Sequence, residues 1–189
     1  MNRSWGADTF DRLYSASNDP WQFRTSAYER QKYAATLAAL PPGRFAAAFE
    51  AGCSIGVLTR DLADRCDFVL AVDISEAALR LAADRCADRN NVDFVRMMLP
   101  RDWPADRRFD LMLFSEVLYF LDAPDVRLVA RRASETLAAH GSVLLVNWTG
   151  DTDTPTTGDT AADAFIAASG LAVTRQSRAP GYRLDLLRR

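Results

Sequence analysis

Apolar runs at Ala46–Ala51, Phe68–Val72, Val92–Val95, Leu111–Phe114 and Val143–Val146 are short and continuous, the pattern of strands buried on both faces. Between most of them lie Ala-, Leu- and Arg-rich amphipathic stretches, Val57–Arg65, Glu76–Asp88 and Ala123–Leu137. Asp122 and Pro124 open the last of these as cap and first-turn residues. Alternation of this kind predicts a parallel sheet with right-handed helical crossovers. Toward the C-terminus a loop, Thr149–Thr160, leads to an Ala-rich helix ending at Gly170. Leu171–Ser177 and Tyr182–Leu187 then read as strands joined by Ala179-Pro180-Gly181, a turn too short for a crossover, so these two should pair antiparallel. At the other end, a short helix is expected at Asp8–Ser15 and a turn at Asn18-Asp19-Pro20. A second helix opens with a capping box, Ser26 and Glu29, carries Tyr33, Leu37 and Leu40 at helical spacing, and stops at Pro41-Pro42-Gly43.

The expected architecture is therefore a doubly wound, Rossmann-like α/β domain. Its sheet has seven strands, mostly parallel with an antiparallel C-terminal strand, and helices on both faces. A length of 189 residues suits one domain over 1–189, with 1–40 as a helical N-terminal cap or lid. A net charge of −2 gives no reason to expect a nucleic acid or a membrane surface as partner, and a small molecule is the better expectation. Lys32 is the only lysine, a bias that reads as base composition of the genome. Cys53, Cys66 and Cys86 lack metal-ligand spacing and are odd in number, so no metal site or disulfide framework is expected and a reducing cytoplasm fits. No signal peptide or membrane-length apolar run is evident, and the mature protein is expected to begin where the sequence does.

The chemistry concentrates at strand ends. The first strand runs into Glu50-Ala51-Gly52-Cys53-Ser54-Ile55-Gly56 directly before a helix, and the second ends at Asp73. Ligands of open α/β sheets bind at such carboxyl ends, near the reversal of strand order. Glycines there let the backbone approach a ligand, and a carboxylate after the second strand can accept from both ribose hydroxyls. A dinucleotide fingerprint would place glycines where Ser54 and Val57 stand, so a pyrophosphate suits this loop poorly. Glu50 suits a cofactor with an ammonium and a sulfonium, which points to S-adenosyl-L-methionine.

These segments, together with Phe10–Tyr14, Asp19-Pro20-Trp21 through Arg30, and Phe109–Leu121 containing Ser115-Glu116-Val117-Leu118-Tyr119, carry a family likeness. The chain resembles class I S-adenosylmethionine-dependent methyltransferases. Within that class it is similar to the NodS family, which N-methylates a glucosamine unit of a chitooligosaccharide. The resemblance implies that Glu50, Gly52 and Gly56, with Cys53 and Ser54 in the same turn, line the methionine and ribose portion. It further implies that Asp73 holds the ribose and Ile74 packs on adenine. Many class members place an acidic residue after the third strand to meet the adenine amino group. Here Met97 and Met98 stand in that run and would offer backbone groups and soft packing.

Ser115 and Glu116 end the fourth strand, facing the transferable methyl group, with Glu116 and Tyr119 the candidates to orient or deprotonate an acceptor. His140 reads as a surface residue in a loop before the fifth strand. Trp21, Arg24 and Tyr28 read equally as a lid over the cofactor, Arg24 pairing with its carboxylate, or as aromatic packing on the sheet edge. Asn147 and Trp148 could hydrogen-bond to and stack on a sugar ring, or Trp148 could cap the sheet. The expected activity is methylation of an amine on a small acceptor, an aminosugar or secondary metabolite. O-methylation on the same scaffold, and a non-catalytic cofactor-binding partner of a larger biosynthetic enzyme, are the alternatives. Oligomeric state is not legible.

Overall fold

The structure, a computed structural model, describes residues 3–189. Seven strands, β1 (Ala48–Ala51), β2 (Val69–Asp73), β3 (Val92–Arg96), β4 (Phe109–Ser115), β5 (Leu137–Trp148), β6 (Ala172–Ala179) and β7 (Tyr182–Arg188), form one sheet in the order β3-β2-β1-β4-β5-β7-β6. The first five run parallel, and β7 pairs antiparallel with both β5 and β6. The helices are α1 (Ala7–Ala16), α2 (Ala27–Ala39), α3 (Val57–Ala63), α4 (Glu76–Arg85), α5 (Ala123–Thr136) and α6 (Gly158–Ser169). Among the described residues, no helix is long and apolar enough to cross a membrane.

Strand alternation divides the core in two. Phe49, Ala51, Met112 and Phe114 pack on one face against Val126, Val129 and Phe165, whereas Ala48, Leu111, Leu113 and Leu144 pack on the other against Leu40, Leu58 and Leu62. Each of the Val, Leu, Met and Phe side chains among these contributes about 1.5–3 kcal/mol by leaving water, so both layers are needed to hold the central strands. The chain leaves β1 toward β2 and returns to β4 on the opposite side, so strand order reverses between β1 and β4 and the loops that follow them open a crevice.

Three local expectations change. Val92–Val95 is not doubly buried: β3 is an edge strand, and Val95 is 36% exposed. The residues around His140 form no loop, because α5 passes directly into β5. There Phe109 pairs with Leu137 and Leu111 with Ser142, a bulge in which His140 takes a left-handed φ of 62° and stays exposed. The capping box is half made: Ser26 Oγ accepts from the Glu29 amide at 3.3 Å, but the Glu29 carboxylate turns to Lys32.

The N-terminal segment crosses the carboxyl end of the sheet. Ser4 Oγ donates to Asp125 at 2.6 Å and accepts from the Asp122 amide at 2.9 Å, and the Trp5 amide donates to the Phe120 carbonyl at 2.9 Å. Midway along α1, the Asp11 carboxylate accepts from Ser75 Oγ at 3.1 Å.

Candidate active site

Beneath that segment lies a cavity of about 590 Å³, within the roughly 300–1,000 Å³ of small-molecule sites. Its floor is the ends of β1, β2 and β4, and its roof includes Trp5, Tyr14 and Trp21. After β1 the chain turns through Gly52, whose φ is 73°; a Cβ there would sit 3.0 Å from Val117 Cβ, so a bare backbone is what lets the two loops meet. Ser54 is also left-handed, at φ 51°, a conformation that costs a residue with a Cβ about 1–2 kcal/mol. Two contacts hold it there. Its amide donates to Asp73 Oδ2 at 2.9 Å, and its hydroxyl meets the Tyr14 hydroxyl at 2.5 Å.

Asp73 is gripped on both oxygens, since the Ser75 amide donates to Oδ1 at 2.9 Å. Burial pushes its carboxyl up, and the Ser75 and Ser54 amides pull it back. A carboxylate has about four acceptor sites, so Asp73, which lines the cavity, keeps acceptor capacity beyond these amides. Glu50 is wholly buried, Oε2 has no hydrogen-bond partner, and burial pushes the carboxyl up to about 7. Ser115 Oγ is likewise buried without a partner. Unsatisfied buried oxygens facing one cavity are the mark of a polar ligand site.

Glu116 follows β4 with φ 59°, its amide donating to the Val146 carbonyl at 2.8 Å. That left-handed turn brings the carboxylate among three side chains. The Tyr119 hydroxyl donates to Oε2 at 2.5 Å, and Lys32 Nζ lies 3.2 Å from Oε1 and 3.0 Å from each oxygen of Glu29. Burial pushes Glu116 up, against the pull of the Lys32 ammonium and the Tyr119 hydrogen bond. The Tyr119 hydroxyl, buried beside Glu116, is pushed well above its ordinary range and stays a proton donor.

The structure brings Trp21, Glu50, Gly52, Cys53, Ser54 and Asp73 to this cavity. Ile74, Met97, Ser115, Glu116, Tyr119 and Trp148 line it as well. Five expected residues do not line it. Arg24 is exposed, its amide held by the Asp19 carboxylate at 3.0 Å, and points no guanidinium at a cofactor carboxylate inside. Tyr28 packs edge-on to Trp148 at 5.9 Å, outside the cavity wall. Gly56 is the N-cap of α3, pressed on Ala82 of α4. The Met98 amide donates to Asp102 at 2.9 Å, which turns that stretch outward. Asn147 is fully buried with neither amide atom partnered, beneath Gly158 at the start of α6, and does not line the cavity.

Sequence reasoning missed Lys32, Glu29 and Tyr14, all of which line the cavity. Lys32 is only 2% exposed. The available signal was Glu29, Lys32 and Thr36 at helical spacing on α2, a buried polar stripe that reads like a solvated face.

A family model for nodulation protein S (NodS) matches residues 8–146. Nodulation protein S of Bradyrhizobium diazoefficiens is 33% identical over 131 residues, which are 68% of this chain and 62% of that protein, under two thirds of the relative's length. A candidate methyltransferase from Pseudomonas syringae matches in structure with TM-score 0.77 and 36% identity, over 87% of this chain and 100% of that one. The NodS N-methyltransferase from Bradyrhizobium japonicum WM9, in complex with S-adenosyl-L-homocysteine, superposes with TM-score 0.81 over 96% of this chain and 97% of its own; at 20% identity that likeness bears on the fold. The chain belongs to the nodulation protein S (NodS) family.

Proposed function

We propose that the protein is an S-adenosyl-L-methionine-dependent methyltransferase acting on the amino group of a small acceptor, sugar-like or a secondary metabolite, in a reducing cytoplasm. One observation carries the reading: the cavity is lined by Glu29, Glu50, Asp73, Glu116, Asp151 and Asp153, and among the described residues Lys32 is its only cationic side chain. A cleft of that sign concentrates cations, and both a sulfonium cofactor and an amine acceptor arrive as cations. The relatives support it, since one is a nodulation protein S and another is an N-methyltransferase that holds S-adenosyl-L-homocysteine.

The residues fit the cofactor by their unsatisfied groups. Asp73 would accept from the ribose, Glu50 and the Gly52 turn would face the methionine end, and Ile74 and Met97 would flank the base. The cofactor, when bound, supplies an electrophilic methyl carbon on a positive sulfur. Glu116 takes a proton from the acceptor ammonium, freeing the nitrogen lone pair. A carbon–nitrogen bond then forms as the carbon–sulfur bond breaks, with its electron pair left on sulfur. Holding the two reactants in line is the larger part of the barrier reduction, and the roof residues Trp5, Tyr14 and Trp21 exclude water and serve as the lid.

Calorimetry and a methyl-transfer assay with the purified chain test this. S-adenosyl-L-homocysteine should bind and nicotinamide dinucleotides should not, and methyl should pass to amines in a panel of amine and hydroxyl acceptors. Asp73→Ala should weaken homocysteine-compound binding by about 1–3 kcal/mol with the fold intact. Binding of dinucleotides alone would overturn the cofactor assignment. Transfer only to hydroxyls would replace the amine by an alcohol acceptor. Failure to transfer despite cofactor binding would make the chain a binding partner of another enzyme.

Glu50 gives a pH signature. Its carboxyl sits near 7 in the fold against an ordinary 4.5, so the folded chain holds the extra proton, and stability from this group falls as pH rises from the lower value through the higher. A bound cation favours the carboxylate, so cofactor binding releases a proton below about pH 7. Affinity for S-adenosyl-L-methionine should rise about tenfold from pH 6 to 8. Glu50→Gln should flatten that dependence, and an equal slope in wild type and variant would remove Glu50 from the cofactor site.

A further inference from the structure

The cluster on α2 is larger than the reaction just described requires. Lys32 carries the chain's only ammonium side chain, buried to 2% exposure, with Glu29 one turn earlier on the same helix and Glu116 across the cavity. Its Nζ also lies 5.2 Å from the centre of the Tyr28 ring. Buried ion pairs add little net stability, because desolvating both charges offsets their attraction. What such a pair does reliably is set the charge of its members. A carboxyl taken out of water with no cation beside it holds its proton, and a protonated Glu116 cannot accept one from a substrate.

We infer that Lys32 is a positioning residue for proton transfer: clamped between Glu29 and Glu116, it holds the Glu116 carboxylate in its charged form. Oε1, buried beside the Lys32 ammonium and without a hydrogen bond of its own, is the oxygen assigned to take the acceptor's proton. The inference rests on the proposed methyl transfer only for what Glu116 does with its charge.

The geometry of the oxygens supports the division of labour. Tyr119 occupies Oε2 at 2.5 Å, whereas Oε1 has the Lys32 charge at 3.2 Å and no hydrogen bond. The groups facing Glu116 are few in kind. From α2 come Tyr28, Glu29, Lys32 and Tyr33; from the turn after β4, Tyr119; from β1, Glu50; and from the loop after β5, Asp151 and Asp153 line the same cavity. The three phenols are pushed above their ordinary range, mainly by burial, and stay neutral donors. Every other facing group among the described residues is a carboxyl, so among them the one charge that can offset burial of the Glu116 carboxylate is Lys32.

The test reads Glu116 directly. The side-chain carboxyl carbon of Glu116, labelled with ¹³C and assigned by its loss in Glu116→Gln, is titrated by NMR in wild type, Lys32→Met, Lys32→Arg and Glu29→Gln. In Lys32→Met the midpoint should move up by at least about one pH unit, a tenfold change in proton affinity. Lys32→Arg should restore it, and Glu29→Gln, which removes a like charge, should move it down. The acidic limb of kcat/KM should follow in the same directions, while S-adenosyl-L-homocysteine affinity changes less than threefold. A merely structural lysine would lower stability and leave the midpoint in place. An unchanged midpoint in Lys32→Met, or shifts of one sign in both Lys32→Met and Glu29→Gln, overturns the inference. Should Lys32→Met not fold, Glu29→Gln decides, since a midpoint that stays or rises there is equally fatal. Because the titration needs no acceptor, a failure of the amine assignment leaves this result readable.

Discussion

Glu116→Gln is expected to lower the turnover number about 10²–10⁴-fold, the scale of a lost general base, while S-adenosyl-L-homocysteine affinity stays within a few fold. The amide keeps the shape of the carboxylate and cannot take a proton. Backbone geometry isolates the chemistry, because the left-handed φ of 59° and the amide bond to Val146 place this side chain whatever its terminal group. The remaining oxygen can still accept from Tyr119, so the hydroxyl keeps its partner. Single-turnover rates at saturating cofactor, beside a homocysteine-compound titration of both proteins, make the measurement. Turnover within threefold of wild type would leave catalysis to proximity alone, and a large loss of cofactor affinity would mark Glu116 as a binding residue.

Gly56→Ala is expected to destabilise the fold by about 2–5 kcal/mol, the sum of a left-handed penalty of about 1–2 and an overpacking cost of about 1–3. Gly56 has φ 74°, and a Cβ there would lie 2.9 Å from Ala82 Cβ and 3.0 Å from Ala82 Cα. The obstructing atoms belong to the body of α4, so no side-chain rotation relieves them. Gly170→Ala is the control, since its φ is 66° and a Cβ would meet nothing within 4 Å; it should show the conformational cost alone. Urea unfolding of both variants separates the two effects. Equal losses would show that contact with α4 adds nothing at Gly56.

The architecture was legible because its signals are periodic. Continuous apolar runs separated by amphipathic stretches admit little besides a parallel sheet, and the short Ala179-Pro180-Gly181 turn forced the reversal that β7 makes. Edges were not legible: Val92–Val95 has the composition of a buried strand, and only the strand order shows that no strand pairs with the outer side of β3. In the site, the placement of Glu50, Gly52 and Asp73 at the cavity could be read because it follows from position at a strand end. Lys32 could not. The apolar positions Tyr33, Leu37 and Leu40 claimed one face of α2, and nothing in a linear pattern says that Glu29, Lys32 and Thr36 are buried as well. The positive φ of Ser54 and Glu116 was equally hidden, since neither is a glycine. Arg24 differs: its guanidinium has chemistry suited to a carboxylate, while Asp19 grips the backbone amides of Phe23 and Arg24, and Arg24 is exposed and does not line the cavity.

The contacts of Ser4 have a consequence for entry and exit. Its hydroxyl accepts from Asp122 and donates to Asp125, and Asp122 is the residue whose carboxylate caps α5 by accepting from the Asp125 amide at 3.0 Å. The end of the roof and the start of a core helix therefore share one set of hydrogen bonds. Lifting the roof from this side strips polar partners from the first turn of α5, and fraying that turn loosens the roof. A ligand that held the N-terminal segment in place would by the same bonds stabilise the first turn of α5.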